Sequence, residues 1–160
     1  MSGEQRLDAE SELNQYLSQI DDFIVSGNFD TSKYQDECEE YLSLDQDDFN
    51  RLTQQSLLDG AYYLFGYCAY IQDNCNKQKI ILSWCNSQLD KLVIKYEKTN
   101  GFEQYTKHEF KRPIVISDNI YAAKVEELRL LAESRFLLLD SKCYNVRRQG
   151  ETLLEKAKRQ

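Results

Sequence analysis

The sequence predicts an all-α fold: a long helical hairpin or bundle that oligomerises through helical stripes. A single Pro and six Gly among 160 residues leave few positions that interrupt a helix. Two long segments repeat apolar residues at helical spacing. The apolar stripe of the last segment is wider than the surface that one neighbouring helix would cover. This width favours packing against several helices and symmetric assembly of several copies.

The first 43 residues predict an acidic helical module. Leu13, Tyr16 and Leu17 follow a helical period that should stop at Gly27, and Asp30 or Thr31 is expected to cap a shorter second helix. Residues 1–50 hold 14 acids and two bases, whereas residues 51–160 hold 13 acids and 18 bases. This asymmetry predicts a basic body with an acidic appendage, which either docks on a basic partner, competes with nucleic acid or acts as a solubilising face.

Residues 44–160 predict the long-helix hairpin core. Asp45 resembles an N-cap, and the helical period then runs to Tyr96, with residues 73–76 as the weakest point. Gly101 provides an end for this helix, because glycine readily takes a positive φ. A polar loop closes at Pro113, and residues 114–116 read as an extended connector or short strand.

Ser117 or Asp118 should cap the final helix, which extends to about Lys158. Leu131 and Leu138 are expected to widen its apolar seam. The seam itself comprises Tyr121, Val125, Leu128, Ala132, Leu139, Cys143, Val146, Leu153 and Ala157.

The clearest pointer to a ligand is a stretch of cations and aromatic rings around the predicted basic loop 97–113. Cations follow a phosphate backbone while aromatic rings stack on unpaired bases, as in sequence-tolerant single-strand binders. The alternative is a solvated helix end and loop whose charges only maintain solubility. The candidate nucleic-acid-binding residues are Lys91, Lys95, Lys98, Lys107, Lys111, Arg112, Tyr96 and Phe102.

A second set of residues predicts an interface between copies of the chain. Tyrosine suits interfaces because a large ring carries a polar tip, although packing in the chain's own core would explain the same residues. A ring of hairpins would gather the basic loops at one rim and multiply modest phosphate affinities. The candidate interface residues are Tyr63, Tyr67, Tyr70, Leu128, Leu139 and Val146.

Several classes of function are not expected. The common nucleotide-binding, hydrolase and metalloprotease motifs are absent, and His108 is the single histidine, so we expect neither catalysis nor a cofactor. Five cysteines without a CxxC pair predict buried, reduced thiols and no metal. The polar N-terminus and the lack of a long apolar run predict a cytoplasmic protein that does not enter a membrane.

From Leu44 onward the chain resembles the UvsY family of phage recombination mediators. The similarity lies in the order of its pieces: an aromatic-rich helix (residues 44–70), a basic helix end (89–96), a polar loop, and a terminal helix opened by residues 115–118 and containing 146–150. Residues 1–43 have no counterpart in the short family members.

The resemblance implies a ring-shaped homo-oligomer in the cytoplasm of the phage's host cell. It implies binding to single-stranded DNA and help in loading a RecA-like recombinase onto strands coated with single-strand binding protein. By position, Lys91 and Lys95 match the DNA-contacting bases of the family. The alternatives are a non-enzymatic scaffold or adaptor acting through protein contacts, and an acidic DNA mimic formed by residues 1–48.

Overall fold

The computed structural model describes residues 8–18, 35–103 and 106–160 of the chain. Every regular element in these ranges is an α-helix, which confirms the predicted all-α class. The predicted helix end at Gly27 and the predicted caps at Asp30 or Thr31 lie outside the described residues. In chain order the helices are α1 (residues 8–18), α2 (Gln35–Leu42), α3 (Gln46–Arg51), α4 (Gln54–Thr99), α5 (His108–Asp118) and α6 (Ile120–Arg159).

The helices belong to two compact units, and α4 and α6 each contribute a segment to both. Unit 1 comprises residues 1–27 and 77–135, and unit 2 comprises residues 28–76 and 136–160. This arrangement corrects the predicted division at residue 43. α1 packs in the core of unit 1 and α2 packs in the core of unit 2, so they do not form a separate acidic module.

The core of unit 2 is built by the first half of α4 and the last half of α6. Leu57 and Leu64 of α4 and Leu153 of α6 are fully buried there, and Cys38 of α2 joins them. Gly60 permits the close packing, because a Cβ at this position would lie 2.6 Å from the Tyr41 ring. Burial of each of these leucines stabilises the fold by about 1.5–3 kcal/mol.

Asp45 acts as the predicted N-cap, but of a shorter helix than expected. Its side chain accepts a hydrogen bond from the Asp48 backbone N–H at 2.8 Å, at the start of the six-residue α3. The backbone then becomes extended at Leu52, where φ is −64° and ψ is 135°. The Thr53 hydroxyl accepts from the Ser56 N–H at 3.2 Å and caps the long helix instead.

The core of unit 1 is built by the second half of α4, by α5 and by the first half of α6. The described part of α1 adds two buried side chains to it. The buried residues of this core are Ala9, Leu13, Trp84, Cys85, Leu89, Val115, Ala122 and Val125.

α4 is continuous across the segment predicted as its weakest point. Residues 73–76 remain helical, with Cys75 fully buried and Asp73 and Asn76 facing solvent. The boundary between the two units nevertheless falls directly after Asn76. The end predicted at Gly101 is confirmed: its φ is +70° and its N–H donates to the Tyr96 carbonyl at 3.0 Å.

Residues 114–116 are helical, which corrects the predicted connector or strand. They lie within α5, and Val115 is buried in the core of unit 1. Burial on a helical face outweighs the β-preference of these branched side chains. Pro113 is accommodated inside α5, although it cannot donate to the Glu109 carbonyl. The predicted basic loop 97–113 is therefore shorter, since α4 continues to Thr99 and α5 begins at His108.

α6 is capped by Asn119, and not by Ser117 or Asp118, which belong to α5. The Asn119 side-chain oxygen accepts from the Ala122 N–H at 3.0 Å. The predicted seam of α6 is confirmed, because each of its members is buried or packs against one of the two cores. Leu131 and Leu138 do not widen it, since both side chains are exposed.

Candidate nucleic-acid interface

The last turns of α4, in unit 1, carry three lysines along one side. Lys91, Lys95 and Lys98 follow one another at four- and three-residue spacing, which places them on a common face of the helix. All three are exposed, and within the described residues none of their ammonium groups has an ion-pair or hydrogen-bond partner. We call these three residues the lysine ridge.

The like charges of the lysine ridge repel one another, whereas the helix dipole favours Lys98 in the last turn of α4. Like charges three or four residues apart destabilise a helix by about 0.2–0.5 kcal/mol per pair. The opposite side of the same segment is anchored, because Leu89 is fully buried and Leu92 packs against the core of unit 1. The core beneath the ridge therefore fixes the side of α4 on which these three cations lie, and no described carboxylate forms an ion pair with them.

Lys111 and Arg112 do not extend the row as free cations. Lys111 forms an ion pair with Glu97 at 3.3 Å, and Arg112 forms one with Asp90 at 2.6 Å. Arg112 also donates to the Asn86 side chain at 3.0 Å. These contacts connect α5 to α4 and give each base a carboxylate partner, and the binding of either residue to nucleic acid stays a prediction.

Tyr96 and Phe102 are also engaged within the chain. Their ring centroids are 5.0 Å apart, and both rings pack against the core of unit 1. The Tyr96 hydroxyl donates to Asp118 at 2.8 Å, and this hydrogen bond raises the pKa of Tyr96. The Lys111 ammonium lies 5.3 Å from the Phe102 ring centroid. Both rings are only partly buried, and their stacking on a base stays a prediction.

Lys107 keeps the exposure that was predicted for it. It is the N-cap residue of α5, and its side chain makes no capping hydrogen bond. Its position at the positive end of the helix dipole gives α5 no electrostatic stabilisation. Lys107 therefore joins the ridge lysines as an accessible cation of unit 1.

The prediction missed two exposed apolar side chains of unit 1. Phe110 of α5 is 56% exposed and Ile94 of α4 is 54% exposed. Ile94 lines a groove between α4 and α5 together with Val93 and His108. Phe110 belongs to the predicted stretch of cations and aromatic rings. Its exposure follows from the helical conformation of residues 108–118, and this conformation was not predicted.

The six predicted interface residues are mostly internal. Tyr67 and Val146 are buried in the core of unit 2, which removes them from any surface. Tyr63 and Leu139 pack against the core of unit 2, and Leu128 packs against that of unit 1. Tyr70 is the exception, with 44% of its surface exposed.

The outward faces of unit 2 carry other large apolar side chains. On α4 these are spaced three and four residues apart and form one stripe, which we call the α4 stripe: Leu58, Tyr62 and Phe65. On α6 of the same unit the exposed side chains are Leu137, Leu138 and Tyr144.

Membrane-spanning helices and metal-binding clusters are both absent from the parts of the chain that the structure describes. No helix there combines the length and apolar character needed to cross a bilayer. Nor do three or more histidine, cysteine, aspartate or glutamate side chains converge in those parts to hold a metal ion. The chain matches no protein-family model, no curated protein and no solved structure.

Proposed function

We propose that this chain binds single-stranded DNA through the lysine ridge and acts as a non-enzymatic recombination mediator. In this role it helps a RecA-like recombinase assemble on strands coated with single-strand binding protein. The observation that supports DNA binding is the row of three exposed ammonium groups on one face of α4, none of which has a partner among the described residues. The mediator role is supported by the resemblance to the UvsY family.

The charges next to the ridge favour this proposal. Asp90 and Glu97 lie on the same helix as the ridge lysines and would otherwise offset their potential. Arg112 and Lys111 of α5 form ion pairs with these two carboxylates. Because charges more than about 8 Å apart are largely screened at physiological ionic strength, the net charge of −7 does not prevent binding at a locally basic surface.

Three phosphate contacts give a weak, salt-sensitive site. For single strands, the slope of log K against log salt concentration is about −0.7 per contact, so one copy should show a slope of about −2. Phe110 adds an exposed ring on which a base can stack. Association of several copies would raise the overall affinity, because linked weak sites bind the same strand together.

The test is a titration of a labelled single-stranded oligonucleotide, followed by fluorescence anisotropy at several salt concentrations. We expect the triple variant K91A/K95A/K98A to bind weakly and to lose most of the salt slope. The matched control R135A/K158A/R159A removes three exposed bases from other parts of the chain and should bind like the wild type. Equal losses in both variants would show that only total charge matters, and unchanged binding by the ridge variant would refute the proposal.

A second candidate function, a scaffold or adaptor, is favoured by the α4 stripe of unit 2. Leu58 and Tyr62 expose apolar surface that a protein partner or another copy could cover. In this case the variant L58S/Y62S should lose assembly in sedimentation experiments, and the wild type should show no binding to the oligonucleotide even at low salt. DNA binding that depends on the ridge, together with unchanged assembly of L58S/Y62S, would exclude it.

A further inference from the structure

Two buried cysteines face each other in unit 2, one on α4 and one on α6. The Sγ atoms of Cys68 and Cys143 are 3.0 Å apart, and both residues are almost completely buried. Neither thiol takes part in a disulfide in this structure. The two residues are separated by 75 positions in the sequence, so their contact is created by the fold.

The backbones also approach each other at this point. The Cys68 Sγ lies 3.5 Å from the Cys143 carbonyl oxygen, and the Cys143 Sγ lies 3.7 Å from the Cys68 carbonyl oxygen. Such reciprocal contacts require each sulfur to reach across to the opposite main chain. A disulfide needs side chains that face each other, and the 3.0 Å between the two sulfurs shows that Cys68 and Cys143 do so.

The surroundings of the pair are polar on one side. The Gln72 side-chain oxygen lies 3.6 Å from the Cys143 Sγ, and the Arg147 guanidinium donates to the same sulfur at 3.9 Å. Arg147 is itself exposed. The cation favours the Cys143 thiolate, which is the form that reacts with oxidants, but burial outweighs this effect and the pKa of Cys143 is raised.

We infer that Cys68 and Cys143 form a redox-sensitive pair that closes to a disulfide when the protein meets a hydroperoxide. One sulfur attacks a peroxide oxygen and becomes a sulfenic acid, with release of one water. The other sulfur attacks the sulfenic sulfur, forms the S–S bond and releases a second water. In total, two thiols and one H₂O₂ give one disulfide and two H₂O, and the two electrons pass from sulfur to peroxide.

The modification would act on unit 2 alone. It would join α4 to α6 covalently through their buried faces, whereas the lysine ridge belongs to unit 1. Cys75 lies seven residues after Cys68 on the same helix and is also buried, but its Sγ contacts the Phe136 carbonyl oxygen at 3.9 Å. Cys75 therefore provides a matched control within the same unit.

The expected reactivity depends on pH. Burial, followed by the hydrogen bond with Cys68, raises the pKa of Cys143 to about 11. At neutral pH the Cys143 thiol is therefore mostly protonated, and the thiolate fraction rises about tenfold per pH unit below that pKa. Oxidation should accordingly be slow at pH 7 and faster at pH 9.

The experiment exposes the native full-length protein to hydrogen peroxide, removes the peroxide, and alkylates the remaining thiols in denaturant before mass measurement. We expect three of the five cysteines to be alkylated and the chain to lose about 2 Da, the mass of the two hydrogens removed. Trypsin should then release residues 52–77 joined to residues 143–147. Because the longer peptide also contains Cys75, the bridge is assigned with the variants C75S and C68S.

The bridge should persist in C75S and be absent from C68S. Retention of five alkylated thiols by the native wild type would overturn the inference. A bridge between Cys75 and Cys143, bridges only between separate chains, or oxygen addition without a bridge would overturn it equally. The central measurement uses the wild type, so a variant that fails to fold does not remove the test.

Discussion

Arg112 of α5 donates to the Asp90 carboxylate of α4 across 2.6 Å, and the pair lies beside the lysine ridge. The arginine therefore neutralises an acid next to the ridge. This relationship changes what each basic residue of the stretch is expected to do. Under the proposed function the three ridge lysines of α4 would contact phosphate, while Lys111 and Arg112 connect α5 to α4.

The first prediction concerns Arg112. Replacing it with alanine removes an ion pair and a hydrogen bond to Asn86, both partly exposed, and should lower the free energy of unfolding by about 1 kcal/mol. Urea unfolding measures this loss. The salt slope of oligonucleotide binding should stay close to that of the wild type, whereas K95A should reduce it by about 0.7. A reduction of the slope by R112A equal to that by K95A would contradict the structure.

The second prediction separates stacking from phosphate contacts. Phe110→Ala removes the exposed ring of α5 and should weaken oligonucleotide binding by about 1–3 kcal/mol, with the salt slope unchanged. Anisotropy titrations at several salt concentrations measure both quantities. Phe102→Ala is not a suitable comparison, because that ring packs against the core; Tyr144→Ala, an exposed ring of unit 2, serves as the control. Equal effects of the two changes would argue against stacking on Phe110.

The third prediction concerns stability at alkaline pH. Burial and a hydrogen bond to Glu12 raise the pKa of Tyr121 well above its ordinary value near 10. Above pH 10 the unfolded chain loses this proton while the folded chain retains it, so the fold loses stability as pH rises. The difference in unfolding free energy between the wild type and Tyr121→Phe should be constant below pH 9 and should shrink above pH 10. A constant difference up to pH 11 would show that Tyr121 titrates normally.

The fourth prediction compares two glycines of α4. A Cβ at Gly60 would lie 2.6 Å from the Tyr41 ring and 2.9 Å from the Leu153 side chain, whereas one at Gly66 would meet no atom within 4 Å. Gly60→Ala should therefore destabilise the protein by about 1–3 kcal/mol despite better helix propensity. Gly66→Ala should stabilise it by about 0.5–1 kcal/mol. Thermal and urea unfolding of both variants measure these changes in stability. If both substitutions stabilise the protein, the side chains around Gly60 can move to accommodate the added methyl group.

The fifth prediction compares two leucines of α6. Leu153 is fully buried, and its replacement by alanine should lower the free energy of unfolding by about 2–5 kcal/mol. Leu138 is 74% exposed, and its replacement should change the stability of a single copy by less than about 0.5 kcal/mol. Unfolding at several protein concentrations measures both effects. A large, concentration-dependent loss for Leu138→Ala would reveal that this side chain is covered by another copy.

Features that depend on neighbours within one or two turns could be predicted from the sequence. Asp45 as a cap and Gly101 as a helix end follow from local hydrogen bonding and from the conformational freedom of glycine. The seam of α6 follows from a repeat of apolar residues over the whole helix. Each signal lies within a single helix or at its end, and the structure confirms Asp45 as a cap, Gly101 as a helix end and the seam of α6.

Features that depend on which helix faces meet could not be predicted in this way. Tyr67 and Tyr70 are one turn apart with the same chemistry, yet one is buried and the other is exposed. The ion pair between Arg112 and Asp90 joins residues 22 positions apart. The same limit applies to α5, because the β-branched residues 114–116 become helical when Val115 enters the core of unit 1.

The sequence by itself therefore determined the helical class, the cap at Asp45, the helix end at Gly101 and the inward stripe of α6. Tertiary structure decided the division into two units, the partners of each cation and the exposure of each ring. The physical reason is the separation in sequence between the residues that interact. Periodicity and capping depend on residues in adjacent turns of one helix. Burial and ion pairing are set by contacts between distant segments, as when Ala9 and Leu13 join Trp84 in one core.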